Sequence, residues 1–385
     1  MQIFDTLTLG NISLRSANKK IKIFVCGPTL DDNCHIGHAR VFVLVDLIIR
    51  YLASRNYIPH VIVNATDIDP KINENHINPD FVFKEFIGDL NKLEITDMIY
   101  ARVSDYVQES KDLIRKLIKK KFAYSINGNI YLNTSRFRSY GSLSHLSNKE
   151  LSDQRYDIDI NKRNTTDMFL WNTSDNYGTE FDDKYLGNGV PWWHMQDTAV
   201  AMFHFNGTYD VHIGGIDLCY PHHEVIRSNL IALSRKQKPV KCWMHVGTLQ
   251  IGNTKMSKSS GNAIYIRELL KKYDANTLKL YFYSHDYKKQ INFNFSELMR
   301  FERINNKIRN LVLSSDYENK NENDDYGETN DNVSDSESDT IEKFKKYIED
   351  DLDTPNALKL FLETVKDSNK LDDAKKMMTI FGLGY

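Results

Sequence analysis

Two histidines three residues apart, His35 and His38, stand in the run Cys26-Gly-Pro-Thr-Leu-Asp-Asp-Asn-Cys-His-Ile-Gly-His-Ala-Arg40. Imidazoles at the incoming end of a helix would join free backbone N–H groups and the helix dipole, both of which attract phosphate. Gly37 between them lets a ring stack closely on the backbone. The same pair also suits a metal ion. Far downstream, Lys255-Met-Ser-Lys258-Ser-Ser-Gly261 puts two lysines in a Ser/Gly loop. That suits a polyphosphate whose charge builds up during transfer, and a solvated surface loop is the alternative. Asp217 follows Gly214-Gly215, where its carboxylate either accepts from a ribose or caps the turn.

These residues need elements to hold them. Residues 21–25 are apolar but for Lys22, as in a buried strand, and apolar positions over 41–51 recur at helical spacing. Strand, Gly/Pro/Asp turn and helix in that order is the nucleotide-binding start of an α/β sheet. Further strands are predicted over 60–64, 210–213 and 243–251. Thr66 and its neighbours sit just past the carboxyl end of the second strand, where polar side chains meet a ligand crevice or cap a helix. An amphipathic helix is predicted over 99–121 and a hairpin around Asn127-Gly128. Residues 191–197 should lead into a helix from Thr198, 219–234 form another, and 265–313 read as helical. The segment 314–340 is Asn, Asp, Glu and Ser with almost no apolar residue, so it reads as a disordered linker. Residues 341–382 are helical again.

The 385 residues, 41% hydrophobic, can bury a sizeable core, and a net charge of −2 announces no global basic field. Any nucleic-acid contact then rests on local patches. Four widely spaced cysteines suit a reducing cytoplasm better than a disulfide framework. No apolar run approaches the ~20 residues of a membrane span.

His-Ile-Gly-His and Lys-Met-Ser-Lys-Ser, in this order and far apart, resemble the signatures of class I aminoacyl-tRNA synthetases. Val25-Cys-Gly-Pro-Thr29, Asn64-Ala-Thr-Asp-Ile-Asp69, Pro221-His-His-Glu224 and Trp243-Met-His245 look like the cysteinyl-tRNA synthetase pattern, although Pro70 stands where that family usually has a second Asp. The resemblance implies an α/β fold: a Rossmann-like parallel sheet with an inserted connective subdomain, then a helical C-terminal region. Its expected parts are a first catalytic half (1–122), the insertion (123–186), a second half (187–264), a stem-contact region (265–313), the linker (314–340) and a C-terminal helical segment (341–385). The insertion is too short for an editing module. The family's anticodon-gripping module has no counterpart before Tyr385.

By the same resemblance, His35, His38, Lys255 and Lys258 serve adenylate formation from ATP with Mg2+. Gly37, Gly215 and Asp217 line the ATP site. Cys26, Gly27, Thr29, Thr66 and Trp193 line the amino-acid pocket. The family holds the substrate thiolate on zinc, and its first cysteine and its histidine match Cys26 and His222. Its second cysteine is here Asp197, and its glutamate is Ile226. Three readings follow: zinc held by Cys26, Asp197 and His222, with Cys219 or Glu224 as possible substitutes; zinc lost, with the thiol recognised by packing; or a changed amino-acid specificity. His223 reads as a structural hydrogen bonder. The expected enzyme is a monomeric, cytoplasmic cysteine–tRNA ligase that meets the acceptor end of tRNA. The rival expectations are a ligase joining cysteine to a small amine, as in the mycothiol pathway, and a non-catalytic paralogue. The helical C-terminal segment, read as an RNA-docking platform, favours tRNA.

Overall fold

The computed structural model describes residues 1–95, 98–154, 156–173, 180–252, 254–255, 261–322 and 338–385, of which Lys255 and 315–322 are described by backbone only. A hairpin of β1 (Gln2–Asp5) and β2 (Gly10–Ser13) opens the chain. In β3 (Lys20–Val25), Ile23 and Val25 enter one core while Phe24 enters another. A parallel strand covered on both faces needs such a continuous apolar run. The turn after it leads into α1 (Ile36–Ser54), and β4 (Ile58–Ala65) returns parallel to β3. Asp69 caps α2 (Pro70–Glu74), so Pro70 starts this helix, at a position where its missing N–H costs nothing. After α3 (Pro79–Lys92) comes β5 (Ile99–Arg102), parallel to β4. The helix expected over 99–121 therefore starts later, as α4 (Val107–Lys119).

An antiparallel sheet interrupts the parallel one. β6 (Ala123–Ile126) and β7 (Asn129–Leu132) form the expected hairpin, with positive φ at both Asn127 and Gly128, as a two-residue turn requires. Past the short α5 (Asn148–Asp153), β8 (Met168–Asn172) and β9 (Val190–Pro191) complete that sheet. Next, α6 (Trp193–Phe205) runs to β10 (Tyr209–Gly215), which pairs with the other edge of β3. α7 (Glu224–Ser234) then crosses to β11 (Val240–Val246). The five parallel strands stand in the order β11-β10-β3-β4-β5. The chain winds outward from β3 in both directions, so the switch point lies between β3 and β10. At such a point the strands' carboxyl ends open a crevice.

The strand expected over 243–251 is two strands. β12 (Leu249–Ile251) belongs to a separate sheet with β13 (Thr254–Lys255) and β14 (Ile291–Phe293). α8 (Ile266–Leu270) and α9 (Ala275–Tyr283) precede β14, and α10 (Phe295–Glu322) follows it. The helical stretch expected over 265–313 is thus broken where Ile291 and Phe293 pair with β12. α10 also continues through 314–322, the start of the expected linker. Residues 323–337 of that segment lie outside the described residues, and α11 (Asp339–Glu349) begins before its expected end. α12 (Thr354–Thr364) and α13 (Leu371–Phe381) complete the chain. Phe344, Phe361 and Phe381 join the core that contains α1. Buried Lys279 donates to the Gly382 carbonyl and pairs with Glu94 at 3.7 Å. The apolar faces of these C-terminal helices are therefore buried in the core that covers the sheet. Among the described residues no helix is long and apolar enough to cross a membrane.

Candidate active site

The N-terminus of α1 orders both histidines. His35 is its cap: its Nδ1 accepts from the Gly37 N–H at 3.1 Å, and His38 Nδ1 accepts from the His35 N–H at 3.2 Å. The rings stack with centroids 3.9 Å apart. A neutral imidazole whose Nδ1 accepts must carry its proton on Nε2. Burial, and then His35 beside it, hold His38 well below its ordinary pKa. It is therefore a neutral Nε2–H donor at pH 7, beside the backbone amides of a helix start.

A cavity of about 310 Å³ opens at the switch point, lined by Cys26, Gly27, Thr29, His35, Gly37, His38, Gly215 and Asp217. Asp217 folds back over Gly215 so closely that a Cβ there would meet its Oδ1 at 2.4 Å. Val246, Gly247, Thr248 and Leu249 also line it. Thr66 stands behind the cavity, bridged to Thr29, with its N–H on the Pro28 carbonyl at 3.0 Å. Trp193 lies flat on His222, centroids 4.1 Å apart and planes 7° apart. Lys255 is placed by backbone only, pairing with Gln250 in β13. Lys258 lies outside the described residues.

Behind Cys26 the structure gathers more than the sequence suggested. Cys26 Sγ lies 3.1 Å from Asp197 Oδ2, 3.4 Å from His222 Nε2 and 3.3 Å from His223 Nε2. His222 Nε2 is 3.0 Å from the same Asp197 oxygen. Burial and the Asp197 carboxylate push the Cys26 thiol well up, so it is protonated and donates to Asp197. Asn64 donates from Nδ2 to Asp197 Oδ1 at 2.8 Å and accepts the Gly27 N–H at 2.7 Å, fixing both walls. A second ring of imidazoles stands outside these groups. His194 Nδ1 is 2.8 Å from His222 Nδ1, and His245 Nε2 is 2.9 Å from His223 Nδ1. His212 Nε2 is 3.9 Å from Cys26 Sγ, and its Nδ1 is 2.8 Å from the Tyr209 hydroxyl. The sequence did not single out Asn64, His194 and His212 for this cluster, while His223 makes the hydrogen bond expected of it, to His245. Their signal was polarity inside otherwise apolar strands and helices, which demands a partner.

Neither substitute considered for the metal faces this cluster. Cys219 donates to the Leu143 carbonyl at 3.4 Å, and Glu224 is occupied by the Leu143 N–H at 2.8 Å and by Arg227 at 3.1 Å. Ile226 is fully buried among Phe24, Leu230 and Trp243. Gly27 is fixed by a close approach: a Cβ there would sit 1.8 Å from the Asn64 carbonyl oxygen. Gly27→Ala is expected to cost about 3 kcal/mol, since backbone must move to admit it. A urea unfolding curve measures this, and an unshifted midpoint would contradict it.

Residues 13–303 match the family described as tRNA synthetases class I (C) catalytic domain. The chain is similar to the cysteine–tRNA ligase of Methanococcus aeolicus, 31% identical over 96% of this chain and 80% of that protein. The chain belongs to the cysteinyl-tRNA synthetase family. The Thermoplasma acidophilum member is 35% identical over 82% of this chain and 73% of its own length, and that of Thermodesulfovibrio yellowstonii 34% over 97% and 80%. In fold it resembles Mycobacterium tuberculosis methionyl-tRNA synthetase in complex with methionyl-adenylate, at a TM-score of 0.67 and 14% identity over 94% of this chain and 87% of that one. A likeness at that identity speaks to the fold alone. As a cysteinyl-tRNA synthetase family member, the chain departs from the family's metal pattern at Asp197 and Ile226. The donors that remain still fit zinc. One thiol and one carboxylate can supply two negative charges against a divalent cation, and imidazole, thiolate and carboxylate are its ordinary ligands.

Proposed function

We propose that this chain activates cysteine with ATP and transfers it to the 3′-terminal ribose of tRNA, as a cytoplasmic monomer. One observation carries the reading: Cys26, backed by its buried cluster, and the His35–His38 pair line a single cavity at the switch point. Amino acid and ATP would thus meet with the carboxylate near the α-phosphate. The carboxylate oxygen attacks the α-phosphorus, the bond to the bridging oxygen breaks, and pyrophosphate leaves; Mg2+ accompanying ATP would offset its charge. No protein nucleophile is needed, because positioning and charge stabilisation suffice. His35 and His38 donate from Nε2 to the phosphates. Lys255 and Lys258 neutralise the charge developing on the leaving group. Asp217 accepts from the ribose, and Gly215 and Gly37 let adenosine approach the backbone. Trp193, Thr29 and Thr66 wall the amino-acid pocket. Zinc, held by Cys26, Asp197 and His222, would supply a soft partner for the substrate thiolate that a serine hydroxyl cannot match.

ATP–pyrophosphate exchange screened across the amino acids tests this. Cysteine alone is expected to support exchange, and a zinc chelator to suppress it. Exchange with another amino acid, or with none, would overturn the assignment. A transfer assay then compares tRNA with small amines as acceptor, and tRNA is the expected one.

A further inference from the structure

We propose that His223 is a metal ligand in this chain, joining Cys26 and His222, with Asp197 beside them, where the family's glutamate position holds Ile226. The inference rests on the reading that this site binds a metal, and it changes which residues bind it. Four observations support it. First, His223 Nε2 lies 3.3 Å from Cys26 Sγ, and the ligand atoms of Cys26, His222 and His223 all fall within 4.8 Å of one another. Donors around one zinc stand about 3.3–3.6 Å apart, given the usual bond lengths and a tetrahedral angle. Second, the far nitrogen of each candidate histidine is engaged, His222 by His194 and His223 by His245. His245 is itself held at Nδ1 by the Thr6 hydroxyl at 2.7 Å. Metal-ligating histidines are oriented by such partners on their outer nitrogen.

Third, the backbone makes room for the ring. A Cβ at Gly214 would meet His223 Cε1 at 2.7 Å and Cys26 Cβ at 3.3 Å. The missing side chain there lets the imidazole stand beside the thiol. Fourth, the alternatives are spent. Ile226 has no donor, and Cys219 and Glu224 are bonded to other groups. Metal entry would displace the Cys26 thiol proton that now sits on the Asp197 hydrogen bond.

The test is a Co2+ titration of the full chain after metal removal, followed by absorption. The wild type is expected to show intense d–d bands of a four-coordinate ion and one thiolate-to-cobalt charge-transfer band. In His223→Gln the metal dissociation constant is expected to rise by more than about 100-fold, beyond the loss usual for an outer partner, and the d–d intensity to collapse. His223→Cys restores a donor, so tight binding and a doubled charge-transfer band are expected. A His223→Gln spectrum and affinity equal to wild type would overturn the proposal. So would a His223→Cys variant without the second thiolate band, or a wild type that takes up no cobalt. Exchange measured on the same samples separates the two readings. Tight cobalt binding with the expected spectra but no cysteine-dependent exchange would remove the assigned reaction and leave the ligand set standing.

Discussion

Substituting His38 or Lys258 by alanine is expected to lower cysteine-dependent ATP–pyrophosphate exchange by about 10²–10³-fold each, with the chain still folded. The geometry gives His38 its share. Its Nδ1 is committed to the His35 N–H, so the neutral ring presents Nε2–H. That donor is in place before the reaction and costs no reorganisation when charge develops on the phosphates. Its pKa lies well below the ordinary value, so the donor neither titrates nor changes character between pH 6.5 and 8. The His38 contribution to exchange should be flat across that range and change only as pH falls toward the depressed pKa. His38→Ala also removes half of the capping box, worth about 1 kcal/mol of stability, which a melting curve separates from the catalytic loss. Lys258 rests on the sequence. It lies three residues past the end of β13, whose partner β12 begins at Leu249 on the cavity edge. A full positive charge set against the leaving pyrophosphate should count at least as much as one neutral donor. Unchanged exchange in either variant would remove that residue from the mechanism.

The sequence disclosed these two groups because the information was local. A strand, a turn and a helix start stand in one unbroken run from Ile21 to Tyr51. The Lys/Ser loop is a contiguous motif. The parallel strands were visible for a related reason: burial on both faces forces a continuous apolar run, as in Ile23-Phe24-Val25. What the sequence hid is pairing. β14 is three residues long, and nothing near Ile291 shows that Leu249 is its partner. Residues 99–102 are too short to be separated from the helix after them until β4 is seen alongside. The Cys26 cluster fails to show for the same reason. Cys26, Asn64, Asp197, His222–His223 and His245 come from five separate stretches of chain, and only the strand register, which sets Gly214 opposite His245, shows how they converge. The C-terminal helices show a related limit. Their apolar stripes were plain, but a stripe does not name what it covers, and here it covers α1 and α9.

Arg40, just after the histidine pair, carries the second large expectation: Arg40→Met should destabilise the fold by about 3–5 kcal/mol and raise the KM for ATP at least about tenfold. The side chain is nearly sealed from solvent, yet no carboxylate appears among its hydrogen-bond partners. Its Nη1 donates to the carbonyls of Gly247 at 2.5 Å and Thr248 at 3.3 Å. Its Nη2 donates to those of Asp286 at 3.0 Å, Tyr287 at 3.2 Å and Lys289 at 2.7 Å. Burial pulls its pKa down to about 10, which still leaves the guanidinium charged at pH 7. The two segments it ties cross without room between them, since a Cβ at Gly247 would lie 2.4 Å from the Lys289 carbonyl oxygen. Methionine fills similar volume but donates nothing, so five carbonyls lose a buried partner at about 1–3 kcal/mol for each that water cannot reach. The functional loss follows from position. Gly247, Thr248 and Leu249 line the same cavity as the histidines, and Leu249 opens the strand that leads toward Lys255. Arg40→Lys keeps the charge but offers a compact ammonium in place of a planar fork. It should recover part of the stability and less of the ATP affinity, because one point charge cannot hold two turns in register. Thermal melts and ATP-dependent exchange on the three proteins decide it. An Arg40→Met variant that melts with the wild type and keeps its KM would mean that the two turns hold themselves.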